Sequence, residues 1–197
     1  MLILLVLAAA LRLVSLGDHS LWYDEAFSVL FAANDLSTMI AGTQQAVEHP
    51  LLYYVTLSAW MDVFGQSAFA VRLLSVLTGI IAVYVAYLVG RDALSRRTGL
   101  AAALITALAP FHIQYSQETR MYSLLALLLL LATWCFIRAL HTPQGQKSWG
   151  WWLAFGVLAG LAMHTQQLAA FYLLAIGLVP FMMHRRDLIG RMIAAAL

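Results

Sequence analysis

The chain has 197 residues, 63% of them hydrophobic and 10% charged, where a soluble domain has roughly 45–50% and about 25%. The apolar residues come in long runs, which excludes an ordinary water-soluble domain and points to an integral membrane protein. The net charge of +2 decides little, because the charges segregate by loop. Basic residues in short clusters between spans argue against a nucleic-acid partner, and the single Cys135, inside an apolar run, argues against a disulfide framework.

Apolar segments fall at about 2–16, 51–64, 68–90, 98–115, 121–140, 149–164 and 166–183. A crossing helix needs roughly 17–25 residues, so length alone does not decide which of the shorter ones cross. Segment 2–16 lacks a basic start and a well-placed cleavage site, and is expected to be a signal anchor. Residues 17–50 form the long polar interval of the first half. They hold Asp18, Asp24, Glu25, Asp35 and Glu48 with no Lys or Arg. Within them Asn34 or Asp35 is expected to cap a helix through about Val47, and Pro50 suits the first turn of the next helix. Residues 191–197 look like the start of another span, so the chain is expected to be a single module, 1–197, of a longer protein.

Charge arranges the spans. Arg91, Arg96 and Arg97, then Arg138 and Lys147, then Arg185, Arg186 and Arg191 each follow a span. Positive charge near span ends favours the cytoplasm. The three clusters share one side if 98–115 with 121–140, and 149–164 with 166–183, each cross twice. The expected fold is therefore an all-α polytopic transmembrane bundle with six crossings and an inside N-terminus. Residues 17–50 lie outside, and 51–64, which carries Asp62 among Tyr53, Tyr54, Trp60 and Phe64, is a juxtamembrane helix. A seven-crossing arrangement, in which 51–64 crosses, competes with it. The six-crossing topology gathers Asp18, Asp24, Glu25, Asp35, Glu48, Asp62 and Glu118 outside, with Arg72, Arg120 and Arg12 as the basic residues there.

Several constellations on that outer face suit chemistry, and each has a plainer alternative. Asp24-Glu25, directly after Trp22-Tyr23, suits a general base or metal ligand beside the membrane; a solvated loop pair is the alternative. His49-Pro50 stands at a helix entrance, where unpaired amides favour an anion; the alternative is a cap. In Tyr115-Ser116-Gln117-Glu118-Thr119-Arg120-Met121-Tyr122, ionisable residues at a tight interspan turn are functional candidates, or an ion pair facing water. Arg72 is shaped to clamp phosphate oxygens, or snorkels to the interface. His164 opens a polar break at an outer hairpin, or a turn and nothing more. Protease, lipase and phosphate-loop motifs are absent.

Taken in order, the segments 20–28 (Ser-Leu-Trp-Tyr-Asp-Glu-Ala-Phe-Ser), 49–54 (His-Pro-Leu-Leu-Tyr-Tyr), 64–75 and 116–122 resemble the N-terminal module of GT-C membrane glycosyltransferases of family 39. These are relatives of protein O-mannosyltransferases and of the lipid A aminoarabinose transferase. The resemblance implies a GT-C helical bundle with juxtamembrane helices in the first outward loop. It also implies transfer of a sugar from a polyprenyl-phosphate donor to a lipid, glycan or protein acceptor at the outer face of the bacterial cytoplasmic membrane. The family's Asp-Glu motif maps onto Asp24 and Glu25, with the first acid as base. Its acid/His-or-Lys-Pro motif maps onto Glu48, His49 and Pro50, and the aminoarabinose branch carries Lys at the His49 position. Some branches carry an acid where this chain has Arg120; here the nearest acid is Glu118.

The donor's C1 already carries a phosphate leaving group, so one base suffices, unlike the paired acids of glycosidases, and positive groups must stabilise the departing charge. The expected catalytic residues are Asp24 as base, with Glu25 and Glu118 as helpers or as ligands of a possible divalent cation. Glu48, His49, Arg72, Arg120, Tyr122 and His164 are expected to bind substrate, with His49, Arg72 and Arg120 on the phosphate and inversion at C1. The rival readings are a transporter or lipid-binding scaffold, whose ionisable residues would line a midplane path, and an inactive truncated module.

Overall fold

A computed structural model gives the protein's structure and describes residues 1–45, 51–142, 146–182, 190, 191 and 194. The regular elements among them are all α-helices: α1 (Leu2–Leu13), α2 (Tyr23–Ala32), α3 (Leu36–Gln45), α4 (Leu51–Phe64), α5 (Ala68–Ala93), α6 (Arg96–Leu108), α7 (Pro110–Ser116), α8 (Tyr122–His141), α9 (Gln146–Met163) and α10 (Ala169–Met182). By length and composition α5 and α8 are long and apolar enough to cross a membrane.

Local chemistry sets the boundaries. Ser67 starts α5 by accepting the Ala70 amide, and Ser95 starts α6 by accepting the Thr98 amide. Asp35 caps α3 through the Thr38 amide at 3.2 Å. Asn34 does the opposite job, donating to the Leu30 and Phe31 carbonyls at the end of α2. The expected cap is thus Asp35, and α3 is followed to Gln45. The expected single segment 98–115 is instead two helices. Pro110 has no amide to continue the α6 ladder, and Ala109 before it is extended (φ −62°, ψ 117°). Inside the polar interval 17–50, α2 is a helix that the residue pattern does not single out.

Helix α5 is the central mast, and α1, α4, α6, α7 and α8 all pack on it. It approaches α6 at Gly90 and Gly99, where a Cβ on Gly99 would stand 2.5 Å from the Tyr87 carbonyl oxygen. Its contact with α8 includes a polar seam: Thr78 donates to Ser123 at 3.0 Å, and Ser123 donates to the Ser75 carbonyl at 2.8 Å. Burial of Val29, Tyr53, Tyr54, Leu57, Met61 and Val71 fastens α2 and α4 to it. Trp152, Phe155, Phe136 and Ile176 join α8, α9 and α10 in a separate core.

The two ends of α5 carry different chemistry. At one end Arg72 reaches into residues 16–25. At the other, Asp92 accepts from Trp134 Nε1 at 2.9 Å and pairs with Arg91 and Arg138. Arg138 lies over the Trp151 ring at 5.1 Å. Twenty residues of helix separate positions 72 and 92, about 30 Å at 1.5 Å per residue.

Candidate functional site

The site forms where α2 begins. After α1 the chain turns sharply at Ser15, whose φ is 54°, and this turn brings the carbonyls of Leu16, His19 and Ser20 towards α5. Arg72 binds all three. Its Nη1 donates to Leu16 and His19 at 2.9 Å each, and Nη2 donates to Ser20 at 3.1 Å. Nε and Nη2 grip the two oxygens of Glu25 at 2.9 and 2.7 Å. A guanidinium has five N–H donors, and all five are used.

Glu25 is equally full. Its Oε1 also accepts the Thr119 amide at 2.8 Å, and its Oε2 accepts the Trp22 amide at 3.3 Å. The second contact is the carboxylate half of a capping box at the α2 N-terminus. Glu25 is 0% exposed. Burial by itself would raise its pKa, but the hydrogen bonds and charge of Arg72 with the two amides outweigh burial and hold it below the ordinary carboxylate value. One buried carboxylate thereby joins α2, α5 and the turn before α8. No lone pair is left on Glu25 for a metal ion or a substrate proton, and no donor is left on Arg72 for a phosphate.

Asp24 differs. Its side chain is 39% exposed, and its Oδ2 lies 3.6 Å from Nη2 of Arg120. Arg120 is 7% exposed. Its Nη1 donates to the Asp24 carbonyl at 3.2 Å and lies 3.5 Å from Ser28 Oγ, while its Nε is buried with no hydrogen-bond partner among the described residues. Its guanidinium lies 5.8 Å from the centre of the Tyr122 ring, and Tyr122 packs on Tyr115 at 4.8 Å. Asp24, Tyr115 and Tyr122 line one cavity of about 490 Å³ with Trp22, Gln114 and Glu118. A neighbouring cavity of about 340 Å³ includes His19 and Arg72 and shares Gln114 and Glu118. Behind the site, burial pushes the Tyr54 phenol up to about 12 and the Tyr53 phenol up as well, so both stay protonated; for Tyr54 the charge of Arg120 offsets part of the rise.

Of the expected site residues, the structure brings Asp24, Glu118 and Tyr122 to the wall of one cavity and sets the buried Arg120 against Asp24, while Glu25 is buried against Arg72, which borders the neighbouring cavity. Glu118 Oε1 accepts from Gln114 Nε2 at 3.1 Å. His164 does not line that cavity. Its carbonyl accepts the Leu52 amide at 3.1 Å, which sets the α9–α10 turn against the start of α4. Glu48 and His49 lie outside the described residues. Among the described residues, no group of three or more His, Cys, Asp or Glu is placed to hold a metal ion.

Residue type does not single out Gln114 and Tyr115 as individual site residues. The four-residue spacing of Gln114 and Glu118 on a helical turn is the available signal. The Thr119 amide has none, because a backbone donor is invisible in residue type.

The family model described as dolichyl-phosphate-mannose-protein mannosyltransferase matches residues 48–196. The protein named "Putative mannosyltransferase YkcB" of Bacillus subtilis (strain 168) is 26% identical over 186 residues, covering 88% of this chain and 25% of that protein. The undecaprenyl phosphate-alpha-4-amino-4-deoxy-L-arabinose arabinosyl transferase of Pseudomonas aeruginosa (strain UCBPP-PA14) is 26% identical over 195 residues, 93% of this chain and 35% of its own. Its namesake in Pseudomonas savastanoi pv. phaseolicola (strain 1448A / Race 6) is 28% identical over 197 residues, 93% and 36%. The chain thus spans about a quarter to a third of the length of these curated relatives. No solved structure matches it.

Proposed function

This chain belongs to the dolichyl-phosphate-mannose-protein mannosyltransferase family of GT-C membrane proteins, and from that premise we propose that it is the N-terminal catalytic module of a glycosyltransferase that uses a polyprenyl-phosphate-linked sugar. The acceptor is a hydroxyl of a lipid, glycan or protein at the extracytoplasmic face of a bacterial cytoplasmic membrane. The family description, which names dolichyl-phosphate-mannose, and the undecaprenyl phosphate in the name of the aminoarabinose transferases support the donor class.

The observation that carries the reading is the division of labour between two adjacent acids. Asp24 is open to a polar cavity and stands beside an arginine whose Nε has no hydrogen-bond partner among the described residues. Its neighbour Glu25 is locked. For a hydroxyl acceptor, Asp24 takes the proton as the oxygen attacks C1. The C1–O bond to the phosphate breaks, and polyprenyl phosphate leaves with the bonding pair. Arg120 stabilises that charge, and the configuration at C1 inverts. Glu25 and Arg72 position this pair rather than touching substrate. Glu118 shares the cavity with Asp24, and any divalent cation would draw on these two carboxylates. Glu48 and His49 are assigned to the donor side by family resemblance, and His164 because the α9–α10 turn that carries it is hydrogen-bonded to the start of α4.

For orientation, the Arg91/Asp92/Arg138 cluster at the far end of α5, about 30 Å from Arg72, supports that end as the cytoplasmic one and the Arg72 end, with α2, as the outer one; six crossings with an inside N-terminus are the arrangement proposed with it. That separation matches a hydrocarbon core.

The test is transfer from a panel of labelled polyprenyl-phosphate sugars by the full-length protein in lipid nanodiscs. Asp24→Asn is expected to lower turnover about 10²–10⁴-fold, the range for a general base, with an unchanged melting temperature. A folded variant with wild-type turnover would remove Asp24 from the chemistry.

A further inference from the structure

Arg12, in the last turn of α1, is 0% exposed, and no carboxylate among the described residues lies within 4 Å of it. A lone buried cation is costly unless its donors are all satisfied, and here they are. Nη1 donates to the carbonyls of Ala8 at 3.0 Å and Ala107 at 3.2 Å. Nη2 donates to the Thr106 carbonyl at 3.2 Å and to His112 Nδ1 at 2.9 Å. Nε donates to Ser116 Oγ at 3.3 Å. Because Arg is donor-only, His112 accepts through Nδ1 and carries its proton on Nε2.

The choice of carbonyls has a cause. In an unbroken helix the Thr106 carbonyl would accept the amide of residue 110, but that residue is Pro110. The extended Ala109 likewise carries the Phe111 amide away from the Ala107 carbonyl. Arg12 supplies donors to both orphaned acceptors, at the helix end where a cation is favoured. Its remaining donors reach His112 and Ser116 on α7, beyond the break. Gln117 ties the same two segments from the other side, donating to the Arg12 and Val14 carbonyls at 3.3 and 3.0 Å. Helix α5 makes room: a Cβ on Gly79 would stand 2.2 Å from Ser116 Oγ.

We propose that Arg12 is a positioning residue of the transferase site: its guanidinium replaces the amides missing at the α6–α7 break and sets the angle at which α7 presents Gln114, Tyr115 and the Thr119–Arg120 turn to Asp24 and Glu25. The link to turnover rests on the proposed function; the link to α7 does not. Helix α7 carries Gln114 and Tyr115 into the cavity. The turn it ends in provides the Thr119 amide to Glu25 and Arg120 to Asp24.

The experiment uses the full-length protein with Tyr115→Cys as a reporter, in a background free of other reactive cysteines. It compares Arg12→Met, Arg12→Lys, Pro110→Ala and the double variant Arg12→Met/Pro110→Ala. The readouts are thermal unfolding, the rate of labelling by a membrane-impermeant maleimide and, in the Tyr115 parent, turnover of labelled polyprenyl-phosphate sugars. Arg12→Met is expected to lower the melting temperature, shift the labelling rate at least threefold and lower turnover at least tenfold. The double variant regains melting temperature, because replacing Pro110 returns an amide to the Thr106 carbonyl, yet keeps the shifted labelling and low turnover.

Wild-type labelling in Arg12→Met would overturn the proposal, as would recovery of labelling and turnover along with stability in the double variant. So would Pro110→Ala alone reproducing the Arg12→Met labelling shift. Should Arg12→Met fail to fold, Arg12→Lys decides. It keeps the charge on one nitrogen that cannot span the five acceptors, and wild-type labelling there sinks the idea. If the wild type transfers no sugar while labelling shifts as expected, the transferase reading fails and the role of Arg12 in placing α7 stands.

Discussion

Asp24 and Glu25 are neighbours in the chain and opposites in environment. Each faces an arginine, but the Glu25–Arg72 pair is buried with every donor and acceptor occupied. The Asp24–Arg120 pair is looser, at 3.6 Å, and its carboxylate is open to a cavity. A saturated pair cannot take a proton or bind an anion without breaking its own contacts, so it serves architecture. A looser pair whose carboxylate stands at a cavity wall has capacity to spare, which is why the proposed chemistry is placed there.

The sharpest way to break this contrast is to exchange the symptoms. Asp24→Asn is expected to cost turnover by orders of magnitude and little stability. Glu25→Ala is expected to do the reverse first, destabilising the fold by about 3–5 kcal/mol because it strands Arg72 as an unpaired buried charge. Thermal unfolding in detergent beside the transfer assay reads both, and a Glu25→Ala protein that melts like wild type would dissolve the distinction. Replacing the pair together sharpens it further. Glu25→Gln/Arg72→Met is expected to be more stable than Arg72→Met alone, since no unpaired charge remains buried, and a double-mutant cycle measures the coupling.

A smaller effect is expected from pH. Glu25 has a lowered pKa in the folded protein. Its contribution to stability is therefore complete above its unfolded value of about 4.3 and is lost as pH falls through the lower folded value. Melting temperature should fall as the solution is acidified below about pH 4.3, and Glu25→Gln should flatten that part of the profile. An unchanged slope would mean that other carboxylates carry the acid response. The smallest effect belongs to Asp35, an exposed cap whose hydrogen bonds from Ser37 and Thr38 bring its pKa down to about 2. Asp35→Ala is expected to lower melting temperature slightly and leave turnover unchanged.

Much of this is legible without coordinates. Helices α5 and α8 follow from apolar runs of sufficient length, and the start of α3 follows from a short polar side chain ahead of a helical pattern. Asp24, Glu118, Arg120 and Tyr122 are all candidates by residue type and motif; Asp24, Glu118 and Tyr122 border one cavity, and the buried Arg120 pairs with Asp24. Glu25 and Arg72 are candidates too, but residue type cannot check their expected role as metal or phosphate contacts. Whether a carboxylate has a free lone pair depends on which amides, here those of Trp22 and Thr119, fold onto it. The 98–115 segment looks continuous because its hydrophobicity is unbroken across Pro110; the break lies in the backbone.

By itself the sequence determined the membrane class, the helical content, the family and a short set of candidate residues, because hydrophobic run length and motif spacing are properties of the chain. Only the tertiary structure decided which acid is held and which is free, and which buried arginine, Arg12, takes the place of the amides lost at Pro110. Those outcomes depend on hydrogen bonds between segments about 50 to 100 residues apart, and saturation of a polar group is a property of its three-dimensional partners.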